Sequence, residues 1–265
     1  MRQADVECNR PTRERNCGNQ AGAMKLLIIS DLHANWPALQ AVAKSEQDLK
    51  GIICLGDIVN YGPHPMPCVD WVRDHVKPGW VVQGNHDRAL GCDTGPRCSA
   101  PYRRLALEMQ RYTRRQIGPA ARDYLARLPT STTQLLAGAV FFLCHAAPTD
   151  PLYAYIKPDD TRRWTRECEF AAGPDFLLVG HTHLPLICRI GRTTIVNPGS
   201  VGQPKDGDPR ACYALWRDGD VTLHRVSYDV EEVARDLTTC APPLAAQQLA
   251  RILLAGGDPA PAVSV

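Results

Sequence analysis

The 265-residue sequence predicts an α/β fold extended by a mainly antiparallel second half. Three observations carry that prediction. Strand-like and helix-like patterns alternate from residue 25 to residue 83. Beyond residue 130, short β-type runs are separated by tight-turn signals. Five apolar runs, at 26–29, 52–55, 80–82, 140–143 and 176–179, each stop at a cluster of Asp, His or Asn.

Taken in order, residues 25–30 read as a strand. Residues 35–47 read as a helix, because Ala38, Leu39, Val42 and Ala43 recur at helical spacing. Residues 51–55 are a second strand, 67–76 a helix with Val69, Val72 and Val76 on one face, and 80–83 a third strand. Such a βαβαβ start argues for parallel strands joined by helical crossovers. Residues 88–100, with Gly91, Gly95 and Pro96, read as a loop. Residues 102–128 are helical and broken at Gly118-Pro119, since proline suits the first turn of a helix better than its interior. Arg103, Arg104, Arg111, Arg114, Arg115, Arg122 and Arg127 make this segment either a solvated face or a basic wall beside an anionic substrate. Strands follow at 132–136, 140–144, 186–190, 193–196, 212–217 and 221–227. Their turn signals are Ala137-Gly138, Ile190-Gly191-Arg192 and Asp218-Gly219-Asp220. Residues 229–237 and 245–254 read as the last helices, and no internal repeat is present.

Composition excludes several classes. With 44% hydrophobic and 22% charged residues the chain is globular, and a net charge of +2 gives no general attraction to nucleic acid or membrane. No apolar run approaches the roughly 20 residues that span a bilayer. Residues 1–23 are polar and arginine-bearing, lack the apolar stretch of a secretory signal, and read as a disordered extension. Eleven cysteines, an odd number without framework spacing, fit buried thiols in a reducing cytoplasm. Cys92 and Cys98 sit nearer a loop, without the spacing of a zinc site.

The chemistry lies in the clusters that end the apolar runs: Asp31-Leu32-His33, Gly56-Asp57, Gly84-Asn85-His86-Asp87, Cys144-His145 and Gly180-His181-Thr182-His183. Five strands ending in such residues would gather them at one sheet edge, where open α/β sheets bind ligands. Five of the eight histidines fall in these motifs, whereas His64, His75 and His224 lie outside and read as structural. Carboxylate and amide oxygens mixed with imidazole nitrogens suit manganese, iron or zinc better than calcium. Seven candidate ligands, Asp31, His33, Asp57, Asn85, His145, His181 and His183, exceed what one catalytic ion uses while keeping an open position. Two ions sharing one carboxylate use them all, with Asp57, central in order, as the bridge. His86 is then free to stabilise a phosphoryl transition state or to protonate a leaving oxygen, with Asp87 orienting its ring.

These motifs, with Ser30-Asp31-Leu32-His33-Ala34-Asn35 and Asn197-Pro198-Gly199-Ser200-Val201-Gly202-Gln203-Pro204, resemble the calcineurin-like metallophosphoesterase superfamily, in its small bacterial and archaeal phosphodiesterase-like branch. The resemblance spans residues 24–225. It implies a β-sandwich of two mixed sheets flanked by helices. It also implies one metal on Asp31, His33, Asp57 and His183, and another on Asp57, Asn85, His145 and His181. His86 would be the catalytic histidine. Domain limits follow: an extension at 1–23, a catalytic domain at 24–240 with a loop and helical insert at 88–130 near the site, and a C-terminal helix and tail at 241–265.

Departures bear on substrate. Where protein Ser/Thr phosphatases carry Gly-Asp-x-Val-Asp-Arg-Gly, this chain reads Gly56-Asp57-Ile58-Val59-Asn60-Tyr61-Gly62. Tyr61 replaces their phosphate-gripping arginine, and Asn60 stands where purple acid phosphatases place a metal-binding tyrosine. Asn35, opening a helix, is either a cap or a phosphate contact, and Tyr61 is a candidate substrate-binding residue. The 197–204 segment either touches phosphate or packs behind His181 and His183. The expected function is a dinuclear phosphoesterase in which a metal-bridging hydroxide attacks a phosphodiester or nucleotide phosphate and His86 assists the leaving group. Alternatives are a phosphomonoesterase, a protein phosphatase or a metal-binding scaffold. The expected cofactor is two divalent ions, manganese first, then iron, zinc, nickel or magnesium. The expected partner is a small nucleotide-like phosphate, accommodated by Tyr61, Tyr102 and Trp164, with no membrane and no stable nucleic acid.

Overall fold

The computed structural model describes residues 24–98 and 102–257, so the reading of residues 1–23 lies outside the described residues. Two mixed sheets form the body. In one, β1 (Lys25–Ile29) pairs in parallel with β2 (Gly51–Cys54) and antiparallel with β8 (Ala211–Arg217), which carries β9 (Asp220–Val226) on its outer side. In the other, the order is β3 (Ser131–Leu136), β4 (Ala139–Cys144), β5 (Phe176–Leu178), β7 (Thr193–Asn197) and β6 (Leu186–Ile190). The β4–β5 and β5–β7 pairs are parallel and the two edge pairs antiparallel.

The sheets meet through an apolar core. Phe141 of β4 stacks on Phe176 of β5 at 4.8 Å, and both rings meet Trp216 of β8 edge-on at 5.5 and 6.0 Å. Burying aromatic groups of this size contributes more than any polar contact nearby, at roughly 25 cal/mol per Å² removed from water. Helices α1 (Trp36–Ser45) and α2 (Pro65–His75) cover the first sheet, and α6 (Thr161–Phe170) packs Trp164 and Cys168 against Leu177, Val179 and Ile195 of the second. A separate core joins α4 (Arg103–Gln116), α7 (Val230–Cys240) and α8 (Pro243–Ala255) through Leu105, Met109, Val233, Leu237, Leu249 and Leu253. Tyr61 and Tyr102 belong to that core, so α8 packs against α4 and α7 beside them.

Two expectations change. Residues 80–83 are not a strand: Val81 makes a single bridge to Cys54. The ladder stops because the Gln83 N–H turns to donate to Pro129 O at 2.7 Å and its side chain donates to Leu125 O. Both acceptors lie at the end of α5 (Pro119–Arg127). The clusters also do not share one sheet edge, because β1 and β2 belong to one sheet and β4 and β5 to the other. Two helices add to the expected set. α3 (Asn85–Gly91) starts inside a motif, and α6 is capped by Asp160 accepting from Arg163 N at 3.1 Å. The break at Gly118-Pro119 stands, with Pro119 opening α5.

What positions the site is a set of stitched loops. Beyond β1 and β2 the parallel pairing continues: the N–H groups of Asp31, His33 and Ala34 donate to the carbonyls of Gly56, Asp57 and Ile58 at 2.9–3.0 Å. On the other side, Val201 and Gly202 donate to the carbonyls of Ser30 and Asp31. Gly202 has to lack a side chain, because a Cβ there would sit 1.8 Å from Leu32 O, a backbone atom with no room to yield. Gly202→Ala should therefore destabilise the fold by about 1–3 kcal/mol. Urea unfolding of the two proteins checks this, and equal midpoints would show that the loops are loosely packed.

Candidate metal centre

Each candidate ligand is delivered by a strand or helix end. Asp31 and His33 follow β1, Asp57 follows β2, Asn85 is the first residue of α3, His145 follows β4, and His181 and His183 follow β5. Six of these seven side chains are buried and His181 is partly so. They form two groups, Asp31 with His33 and His183, and Asp57 with His145 and His181, each with ligand atoms within 4.8 Å of one another.

Hydrogen bonds decide which atom of each ligand faces inward. His33, His145 and His183 direct Nδ1 at the carbonyls of Val59, Leu55 and Gln203, at 3.3, 2.8 and 2.5 Å. A carbonyl only accepts, so each Nδ1 carries a proton and each Nε2 is the atom turned toward the centre. The carboxylates are divided in the same way. Asp31 Oδ2 accepts from Ser30 Oγ at 2.7 Å and His181 N at 3.1 Å, while Asp57 Oδ1 accepts from His86 N at 2.9 Å. Their other oxygens face the centre. Asp31 Oδ1 lies 3.2 Å from His183 Nε2, and Asp57 Oδ2 lies 3.2 Å from His145 Nε2 and 3.8 Å from His33 Nε2. Asn85 Oδ1 sits 3.1 Å from both His145 Nε2 and His181 Nδ1.

This arrangement fits cations. His33 Nε2 and His183 Nε2 stand 3.1 Å apart with both protons committed elsewhere, so two lone pairs face each other. Asp31 Oδ1 is buried beside them without a hydrogen bond. Converging acceptors in a buried space are unfavourable unless a positive charge lies among them. Neutral imidazoles with carboxylate and amide oxygens suit a divalent transition ion.

The electrostatics divide the histidines, with His145 the one that holds a proton in the metal-free centre. Burial, reinforced by His183, holds His33 well below the usual histidine range, and burial beside His145 brings His181 down to about 3. Burial also takes His86 down to about 4. Burial acts in the same direction on His145, but the Asp57 carboxylate outweighs it and lifts that imidazole to about 9. Burial opposes ionisation of Asp57, yet His145 and His86 overcome it and keep the carboxyl well below its ordinary value. Asp87, buried and repelled by Asp57, rises to about 7.

The remaining site expectations separate clearly. Asp87 does not hold the His86 ring; its carboxylate accepts from the N–H groups of Ile58, Val59 and Gly84 and so ties the start of α3 to the loop that follows Asp57. Asn60 meets the ring instead, with Nδ2 at 2.7 Å from His86 Nδ1. Asn35 is a helix cap: Oδ1 accepts from Ala38 N, while Nδ2 donates to Gly202 O and Tyr228 Oη, which leaves no donor for a phosphate. Trp164 is core, with Nε1 donating to Lys157 O. None of the arginines of 103–127 lines the cleft above the centre; Arg103, Arg104, Arg111, Arg115 and Arg127 are exposed, while Arg114 and Arg122 are half-buried. The 197–204 segment braces the ligands: Asn197 Nδ2 donates to Gly180 O and Thr182 Oγ1, and Ser200 Oγ donates to Asp31 O.

The cleft is lined by Asp57, Asn85, His86, His181 and His183, with Tyr61, Tyr102, Tyr155, Cys98 and Lys205 around it. The Tyr61 ring lies 4.8 Å from His86 and 5.0 Å from His33. Lys205 Nζ sits 4.6 Å from the centre of the Tyr102 ring. Asn60, Tyr155 and Lys205 escaped the sequence reading. Lys205 directly follows the 197–204 motif, which was its one signal.

A buried centre of carboxylates and imidazoles at the ends of strands from two facing mixed sheets defines a metal-dependent hydrolase of the phosphoesterase type. The calcineurin-like phosphoesterase superfamily domain matches residues 24–218, and the chain belongs to that family. It is 31% identical over 227 residues to the uncharacterized protein MJ0912 of Methanocaldococcus jannaschii, covering 78% of this chain and 89% of that one. It is 25% identical over 209 residues to the phosphodiesterase YfcE of Escherichia coli, covering 75% and 89%. A crystal structure of a metallophosphoesterase from Sphaerobacter thermophilus superposes with a TM-score of 0.73 at 32% identity, covering 89% of this chain and all, 100%, of that one. The protein is thus a metal-dependent phosphoesterase with a β-sandwich of two mixed sheets. Among the described residues no helix is long and apolar enough to cross a membrane.

Metal loading should depend on pH with a definite sign. A proton on His145 competes with a metal, and that proton is held up to about 9 in the metal-free protein. Raising the pH toward that value removes the competitor, so the apparent affinity for Mn²⁺ should rise by up to about tenfold per pH unit. Titration calorimetry at several pH values checks this. An affinity that is flat or falls with pH would contradict the assignment of His145 as a ligand.

Proposed function

We propose that the protein is a dinuclear-metal phosphodiesterase acting on a small, nucleotide-like phosphate ester. The observation that carries this reading is the position of Asp57 Oδ2, between His145 Nε2 of one ligand group and His33 Nε2 of the other. Asp31, His33 and His183 would hold one ion, Asn85, His145 and His181 the other, and Asp57 both. When bound, such a pair of ions would supply a nucleophilic hydroxide and offset charge on the phosphoryl oxygens. Manganese is the first choice for a mixed nitrogen and oxygen donor set of this kind, with availability deciding among Mn²⁺, Fe²⁺ and Zn²⁺.

The chain's own groups supply the rest. His86, on the cleft floor beside Asn85, assists departure of the leaving oxygen. Tyr61 and Tyr102 offer apolar walls for a ring such as a nucleobase, and Lys205 sets a positive charge at the rim. One lysine, with tyrosine at the position of the usual arginine clamp, suits the single negative charge of a diester better than the double charge of a monoester. The buried, unpaired thiols of Cys54, Cys68, Cys144, Cys168 and Cys212 support a reducing, cytoplasmic setting.

A substrate panel in Mn²⁺ tests the reading. Cyclic nucleotides and nitrophenyl diesters should turn over with kcat/KM at least about tenfold above phosphomonoesters and phosphopeptides. Lys205→Ala should raise KM for the diester severalfold with kcat nearly unchanged, since the charge acts on binding. Faster turnover of phosphopeptides than of every diester would overturn the proposal.

A further inference from the structure

Asn60 is fully buried, and its amide is oriented by two partners that leave no choice. Nδ2 lies 3.2 Å from Ala106 O, which only accepts, and Oδ1 lies 3.0 Å from Tyr61 N, which only donates. Exchanging the two amide atoms would break both contacts. The second hydrogen on Nδ2 therefore points at His86 Nδ1, 2.7 Å away, and that nitrogen has to accept it. Its proton is then on Nε2, which makes no hydrogen bond among the described residues, and the ring lines the cleft floor.

The backbone is bent to achieve this. Asn60 and Tyr61 have φ of 74° and 62°, the left-handed region, which a bulky aromatic residue rarely occupies. The turn carries the Asn60 amide between α4 and His86 and lays the Tyr61 ring against the same imidazole. A strained pair held in place by packing on two sides is a local cost that needs a use.

We propose that Asn60 is the positioning residue of His86, holding its imidazole as the Nε2–H tautomer so that it meets the reacting phosphate as a neutral hydrogen-bond donor. A carboxylate at position 60 would do the opposite: it would accept from Nδ1–H and favour the imidazolium. With an amide donor there, the electron pair released as the phosphorus–oxygen bond breaks stays on the leaving oxygen. That oxygen is stabilised by the Nε2–H bond and takes its proton from water.

Two measurements test this on the full-length protein. The first is ¹⁵N-edited NMR of the histidine side chains in the metal-free and Zn²⁺-loaded forms, with His86→Ala identifying the signal. Expected at neutral pH is an unprotonated Nδ1 and a protonated Nε2, with Nδ1 protonated as well in Asn60→Asp. A protonated Nδ1 in the natural protein overturns the proposal without any variant having to fold. The second is a double-mutant cycle on a nitrophenyl diester. Asn60→Leu should lower kcat by about tenfold, with KM and metal content within about twofold of normal, and should cost nothing further in a His86→Ala background. An equal loss in both backgrounds would mean that Asn60 supports the fold and does not act through His86. The kinetic half rests on His86 acting at the phosphate, whereas the spectroscopic half stands if that role fails.

Discussion

Around Asp57 Oδ2 the structure gathers the kinds of atom that ligate cations. His33 and His145 turn Nε2 toward it from either side, Asn85 adds an amide oxygen, and Asp31 and His183 stand behind. In water these atoms would stay apart. Here the protons that would relieve the crowding are committed to the carbonyls of Val59, Leu55 and Gln203. The centre is thus a preformed site for positive charge, and the proposed pair of ions sharing one carboxylate would engage all of these groups. Much of the remaining architecture serves to keep these acceptors in place.

That service is visible in the backbone. Asp31, His33, Asp57, His181 and His183 all have positive φ, between 44° and 65°. Each such residue costs roughly 1–2 kcal/mol relative to ordinary backbone. The conformations persist because the loops are tied to one another rather than to solvent. The first loop hydrogen-bonds to the second on one side and to residues 201 and 202 on the other, and Gly180 N donates to His145 O. Asp87 and Asn197, neither of them a ligand, are the side chains that lock these loops. The ends of two facing sheets give the loops a rigid base, since the Phe141, Phe176 and Trp216 core lies directly between the sheets.

The candidate ligands were legible because their residue types contrast with the apolar strands they terminate. A buried run that stops at Asp31, Asp57, His145 or His181 has no packing reason to do so. What stayed hidden depends on tertiary reach. Asn60 acts on His86 only through a left-handed turn, and Tyr155 and Lys205 arrive on loops whose course no periodicity records. At Asn35 the sequence leaves two readings open, because a helix opening signals both a cap and an anion site, and the structure uses its amide within the protein. Residues 80–83 have strand chemistry, yet Gln83 is captured by the end of α5 before a second pair can form. The helix α6 was legible in principle, since Asp160 precedes Trp164, Glu167 and Cys168 at helical spacing. Its short apolar stripe is masked by arginines.

The central claim is that Asp57 is shared by two ions. It is tested most directly by counting metal in the natural protein and in Asp57→Asn under equal loading, by elemental analysis after exhaustive exchange. Two ions per chain are predicted for the natural protein. In the variant both should be weakened together, because the neutral amide removes charge from each, and turnover should fall by about 10²-fold or more. A variant that kept two tightly held ions and near-normal turnover, or a natural protein that held one ion at saturation, would contradict the account.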